Sequence, residues 1–299
     1  MFFPFLSRGP TVTLSIENTM ARMLVASGNR VEKAASAPLD PGLVVEGVVQ
    51  DAEKVGEILS ELFQSENVPK GQVVTCVAGS HTIYKTFSLP PMRQADVAGA
   101  VMYQAKRDMP VPVDELVMSW QAVGQPQEGQ NNVFVVGVPR DVISTYMAAF
   151  RHARIRPKAI DIKPLALARA VNRDTVIIGN VEVETVEVIY VSDNTPAIVR
   201  TIHYPFPASS ATELGQRLAD ELQLTIRFYN DANRMRPVRS STPIVLSGGG
   251  ADYFSLTEAL YGYLDYTVER INPPIECPIE ISMEEYAVNI GLALKGRKV

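Results

Sequence analysis

A strand running straight into three glycines is the feature of this chain best suited to chemistry: the run IVLSGGGA spans Ile244 to Ala251. Gly248, Gly249 and Gly250 would let a ligand approach the backbone closely, and the helix start that follows would offer free amide donors. Such a turn serves the cradling of a phosphate, although a strand followed by glycines is by itself more often a tight turn. Other candidates carry less. His81, His152 and His203 have neither metal-ligand spacing nor a nearby Ser or Cys motif for a triad, which leaves them as surface or strand-end residues. Cys76 and Cys277 lie far apart without CxxC or Cys/His spacing and read as reduced structural thiols, with no metal implied. The basic run from Arg151 to Lys158 falls at a helix C-terminus, where positive charge complements the helix dipole. Glu284 and Glu285 fall in the first turn of a helix, and the sole tryptophan, Trp120, sits in a strand and is expected in the core.

Hydrophobic spacing outlines the elements that must hold these residues. Thr11 to Ala26 reads as two strands about a turn at Glu17-Asn18-Thr19, followed by a polar connection and a strand from Leu43 to Val49. Val55, Ile58, Leu59, Leu62 and Phe63 then repeat at helical spacing. Strands are expected at Val73 to Ala78 and Thr82 to Leu89, and a helix from Gln94 to Asp108 that Pro110 and Pro112 stop. Two more strands, Leu116 to Val123 and Val133 to Val138, flank the loop QPQEGQNN, and Asp141 opens a helix with Tyr146 and Phe150 on one face.

Near the middle the pattern restarts. A strand from Lys158 to Ile162 and a helix opened by Pro164 lead into strands at Thr175 to Val181, Thr185 to Val191 and Ala197 to His203. The pair of strands about a polar turn at 12–26 recurs at 175–191, so the chain reads as a distant duplication of one sheet-plus-helix unit. Three later helices carry Ser-x-x-Glu start signals, at Ser210, Ser255 and Ser282, in which hydroxyl and carboxylate satisfy orphan backbone donors. Strand blocks alternating with helices make this an α/β protein of two related lobes.

With 46% hydrophobic and 20% charged residues, the 299-residue chain can bury one large core or two medium ones and is not of disordered composition. A formal net charge of −5 gives no general attraction to nucleic acid or anionic lipid. No stretch approaches the ~20 apolar residues of a membrane span. The opening MFFPFL is too short for a signal peptide and lacks its basic region, so a cytosolic protein is expected.

Several of these segments, in order, resemble the PilM family of type IV pilus assembly proteins. They are SLPPM ending at Met92 with the helix AVMYQAKRDMPVPVDEL, IDIKPLALAR from Ile160, ELQLTIRFYN, LSGGGA, and YAVNIGLAL from Tyr286. The resemblance covers nearly the whole chain. It implies an α/β fold of the actin-like (ribonuclease H-like) kind, in two lobes with an inserted subdomain on the first. The expected divisions are 1–71 for the first lobe, 72–155 for the insert, 156–172 for a return to the first lobe, and 173–299 for the second, with a small helical subdomain at about 210–242.

The same resemblance implies a nucleotide cleft and ATP with Mg2+ as cofactors. By position that cleft would comprise Ser15, Glu17, Asn18 and Arg22 in a first phosphate loop, Gly179, Asn180, Val181 and Thr185 in a second, and Gly248, Gly249, Gly250 and Ala251 in the adenosine turn. The family's usual aspartates and glycines are missing: Ser15 and Gly179 cannot supply carboxylates, and Glu17 and Val181 stand where glycine is usual. Glu182 and Glu184 add negative charge, of which alternation along a strand would turn one toward the cleft. Like charges ~4 Å apart repel by about 4 kcal/mol at an effective dielectric of ~20, which weighs against ATP binding and against hydrolysis. The resemblance further implies a scaffold recruited to the inner membrane by the cytoplasmic tail of a PilN-like protein and engaging other pilus platform proteins. The tail is expected in a groove bordered by Leu89, Met92, Val97, Val101, Ile160 and Ile162.

Overall fold

The computed structural model describes residues 9–123, 131–204, 210–250, 252–260, 263–264 and 266–296. It opens with β1 (Thr11–Ile16), β2 (Met20–Ser27) and β3 (Arg30–Pro38), an antiparallel meander in register from Thr11↔Ala26 to Ile16↔Ala21 and from Met20↔Pro38 to Ser27↔Arg30. β3 is the stretch the sequence presents as a polar connection. It lies at the sheet edge with most side chains at least partly in water, so nothing selects for apolar residues there. The single strand expected over 43–49 is a hairpin of β4 (Val44–Val45) and β5 (Val48–Val49). α1 (Ala52–Ser65) is capped by Asp51, whose Oδ1 accepts from the Lys54 amide at 3.0 Å, and turns Val55, Leu59, Leu62 and Phe63 inward.

β6 (Gly71–Val77) runs parallel to β1. The next elements are β7 (Ile83–Leu89), α2 (Gln94–Asp108), β8 (Leu116–Ala122) and β9 (Asn131–Pro139), whose strands form a separate sheet in the order β7-β9-β8. α3 (Arg140–Ala153) and β10 (Arg156–Ile162) return to the first lobe, where β10 pairs with β6 and α3 lies on α1. α4 (Lys163–Val171) crosses into the second lobe. There β11 (Val176–Val181), β12 (Thr185–Ser192) and β13 (Thr195–His203) form a second meander, followed by α5 (Ala211–Ala232), β14 (Ile244–Ser247), α6 (Tyr253–Leu260), β15 (Val268–Glu269) and α7 (Ala287–Ala293).

The two large sheets have one topology. In the first the order is β10-β6-β1-β2-β3 and in the second β15-β14-β11-β12-β13, each an antiparallel meander extended by two parallel strands. The two lobes share a core in which Ala166, Leu167 and Ala170 of α4 meet Val288, Ile290 and Leu292 of α7. The recurring pair of strands noted in the sequence is thus the leading hairpin of two equivalent units.

Three expectations need correcting. β6 and α3, placed inside the insert by bounds of 72 and 155, belong to the first lobe: β6 is a strand of its sheet, and the buried Val73 and Val77 of β6 and Tyr146 and Phe150 of α3 pack into that lobe's core. Ser255 lies within α6 and does not cap it; Asp252 does, its Oδ2 accepting from the Ser255 amide at 2.9 Å. Ser210 caps α5 as expected, accepting from the Glu213 amide at 3.2 Å. Ser282 accepts likewise from Glu285 at 3.2 Å, but in a turn ahead of α7. Finally, Leu89 and Val101 are buried in the insert's own core with Phe87, Ala105 and Val135, and Met92 and Val97 pack against it. Their apolar character serves to hold α2 on the small sheet.

Candidate functional site

Both leading hairpins point their turns into the cleft between the lobes, and the side chains they deliver meet in one buried cluster. Arg22 on β2 reaches across to Glu182, just past β11, in a two-pronged pair: Nη1 donates to Oε1 at 3.1 Å and Nη2 to Oε2 at 3.0 Å. Its Nε donates to Glu285 Oε1 at 3.3 Å. Beside it, Lys163 at the start of α4 donates to Glu17 Oε2 at 2.9 Å and lies 3.3 Å from Glu187 Oε2, all three side chains being at least nine-tenths buried. Glu187 also accepts from Thr201. Asn18 adds a polar link between the lobes, its amide donating to Glu184 at 3.3 Å while its oxygen accepts from the Gly47 amide.

Burial opposes charge at each of these groups, and the partners decide the outcome. Desolvation pushes the Glu182 carboxyl up to about 7, assisted by Glu17 and opposed by Arg22 and Lys163. For Lys163 the burial penalty is more than offset by Glu17 and Glu187, so it is held protonated. Burial likewise works to lower the Arg22 pKa, and Glu182, Glu17 and Glu285 together raise it.

The glycine turn closes against this cluster. A Cβ on Gly249 would stand 2.2 Å from Arg22 Nη2, so the guanidinium rests directly on the turn. Gly248 has φ +100°, and a Cβ there would meet the Val181 carbonyl oxygen at 2.1 Å. Two amides of the turn are already used: Gly248 N–H donates to the Glu284 carbonyl at 2.8 Å and Gly250 N–H to the Val181 carbonyl at 2.9 Å. The remaining expected positions lie around the same point in different roles. Ser15 donates to Asn289 Oδ1 of α7 at 3.0 Å. Asn180 accepts from Ser247 at 3.0 Å, and the Glu182 amide donates to the Thr185 carbonyl. Gly179 faces Leu218 and Leu246, in the lobe core. Ala251 lies outside the described residues. Glu182, read in the sequence only as added negative charge beside a phosphate loop, Lys163, quoted only within the segment IDIKPLALAR, and Glu187, which no motif marks, are the groups whose pairing spacing alone did not reveal.

A second concavity lies between the insert and the first lobe. It is a cavity of about 200 Å³ whose walls come from β8 (Val117, Trp120), from Phe134 of β9 and from β10 (Ile160, Asp161, Ile162). Both β8 and β10 are edge strands, each with an unpaired side. Trp120, expected in the core, is 39% exposed, and Val117 beside it 42%. Of the six groove positions expected from the sequence, Ile160 and Ile162 are here. Ser119, Gln121, Asp161 and Lys295 are its polar lining; burial works against the Asp161 charge, but Arg169 and Lys295 hold the carboxyl below the usual range, Lys295 Nζ standing at 3.0 Å.

Comparison with known proteins agrees with this architecture. A chain from a structure of a "PilM-PilN type IV pilus biogenesis complex" superposes with TM-score 0.78 at 22% identity, covering 98% of this chain and all of that one. The ethanolamine utilization protein EutJ from Carboxydothermus hydrogenoformans gives TM-score 0.55 at 12% identity, over 98% of this chain and 92% of its own. The cytoplasmic domain of EpsL, an inner-membrane component of the Vibrio cholerae type II secretion system, gives 0.53 at 14% over 97% of each. These likenesses establish the actin-like fold. The sequence model of the type IV pilus assembly protein PilM matches residues 15–201, more than half of the chain, and the chain therefore belongs to the PilM family.

Proposed function

We propose that this chain is a cytoplasmic scaffold of a type IV pilus or related secretion machine, recruited to the inner membrane by holding the tail of a PilN-like protein in the β8–β10 groove. The observation that carries it is the position of Trp120: a large aromatic side chain left partly open to solvent in a cavity between two strand edges. Large half-exposed aromatics in clefts are the usual anchors of binding sites, and an open strand edge can pair with an extended peptide. That a PilM relative has been captured with PilN supports this choice of partner. Among the described residues no helix is long and apolar enough to cross a membrane, so attachment would come from such a contact.

The same reading makes the interlobe cleft a structural clamp. The residues present do not fit ATP and Mg2+: Arg22 covers the glycine turn, two amides of that turn are bonded internally, and Glu17 and Glu182 add buried negative charge where phosphates would lie. Glu17 and Glu182, with Lys163 and Arg22, supply from the chain itself the bridging charges that a nucleotide and its metal would otherwise bring.

Trp120 is the only tryptophan, so its emission reports on the groove without labelling. Titrating a tryptophan-free peptide of the partner's tail should shift that emission and saturate in the micromolar range. No shift and no binding by calorimetry would refute the role. Thermal stabilisation by ATP with Mg2+ would refute the clamp.

A further inference from the structure

The second half of α5 shows two apolar faces, and the core of the lobe uses only one of them. Leu218, Leu222 and Thr225 are buried, and Tyr229 packs edge-on against Tyr190 of β12. On the other side, at helical spacing, stand Leu224, Arg227 and Phe228, with Leu224 45% and Phe228 63% exposed. A helix of a folded lobe ordinarily gives its outer face to polar residues.

The chain beyond the helix extends the same surface. Asn233 ends α5, and the Arg236 N–H donates to the Asn233 carbonyl at 2.9 Å. Val238 then folds back into the core, its amide donating to Asn230 Oδ1 at 2.8 Å. The turn is held at both ends, and between them it presents Met235, 94% exposed. Arg234 and Arg236 flank that methionine. With Arg227 and Arg239 they make four exposed arginines against one acid, Asp231, in the stretch 224–239. None of the four forms a salt bridge among the described residues.

We infer that this surface rests on an anionic lipid bilayer, with Leu224, Phe228 and Met235 entering the headgroup layer and the arginines engaging lipid phosphates. Charge argues for that occupant. The chain as a whole carries −5, so a negative membrane has no general attraction for it and draws this patch alone toward itself. All four bases are arginines, whose planar fork matches two phosphate oxygens and whose stem can lie along apolar surface. Shape agrees with charge: apolar side chains that project from a helix end and a tight turn, ringed by bases, are the form in which proteins lie in a bilayer interface. None of these residues lines the β8–β10 groove or belongs to the interlobe ion pairs, so the contact stands independently of the partner proposed for that groove.

Flotation of the whole chain with lipid vesicles, in the absence of any partner peptide, tests this. Vesicles of phosphatidylglycerol and phosphatidylethanolamine should carry the protein, vesicles of phosphatidylcholine should not, and added salt should weaken the binding. Met235→Glu and the pair Arg234→Glu, Arg236→Glu should each bind at least about tenfold more weakly. All three side chains are exposed, and circular dichroism verifies that the variants are folded. Arg151→Glu, which reverses an exposed base on α3, should bind as the wild type does. To read insertion, Met235→Trp in a Trp120→Phe chain should shift its emission to the blue on adding vesicles and be quenched by brominated acyl chains. No binding to anionic vesicles, an equal loss in Arg151→Glu, or Met235→Trp emission that vesicles neither shift nor quench would each overturn the inference.

Discussion

Arg22 and Glu182 stand 160 residues apart in the chain and meet in parallel across the two lobes, with side chains only 5% and 6% exposed. A buried pair contributes little over a well-packed apolar substitute, but loss of one member leaves the other charged and poorly compensated. Glu182→Ala should therefore cost about 3–5 kcal/mol in urea unfolding. The double replacement Arg22→Met, Glu182→Leu should recover most of that loss; equal destabilisation of single and double variants would refute the account.

The raised Glu182 pKa makes the clamp sensitive to pH. Its carboxyl loses its proton near 4.5 when unfolded and near 7 when folded, so between these values the folded state holds more protons and stability falls as pH rises. The contribution is present below about 4.5 and is lost as pH rises through about 7. Comparing urea midpoints of wild type and Glu182→Gln across this window should show a downward trend in the wild type that the variant lacks.

The glycines of the turn should differ in tolerance. At Gly249 an added methyl meets the far end of a long side chain, which can move, and Gly249→Ala should cost about 1–3 kcal/mol. At Gly248 it meets backbone from a left-handed conformation, and Gly248→Ala should cost more. Chemical denaturation of the two variants checks the order.

Groove and insert core separate cleanly by mutation. Trp120→Ala should weaken the partner tail by at least about thirtyfold, while stability changes by less than ~1 kcal/mol. Val101→Ala, in the insert core, should lower stability by about 2 kcal/mol and affect binding only as far as the insert loosens. Calorimetric titration beside a melting curve distinguishes them.

The insert also touches the second lobe directly, through Tyr84 on β7, whose hydroxyl donates to the Val199 carbonyl of β13 at 3.2 Å. Tyr84→Phe should cost about 0.5–1.5 kcal/mol and speed hydrogen exchange at β13, without altering Trp120 emission.

Much of the architecture is written in local periodicity. The helices α1, α2, α3 and α5 show their buried faces at helical spacing, the paired hairpins announce two like units, and the run ending in Gly250 gives a strand and a turn. Such features depend on residues a few positions apart, which sequence displays directly. β3 escaped because an edge strand need not be apolar, and Trp120 was assigned to the core because an aromatic in a strand looks alike whether it faces a core or a cleft.

By itself the sequence determined the two-lobe α/β plan and the strand and glycine turn ending at Gly250, and through its resemblance to the PilM family it raised the expectation of altered phosphate loops. Only the tertiary structure decided what fills the interlobe cleft. Whether Glu182 repels a ligand or pairs with Arg22, and whether Lys163 is a surface charge or the centre of Glu17 and Glu187, depends on contacts between distant segments. A buried charge is set by whatever the fold places beside it, and no local pattern carries that information.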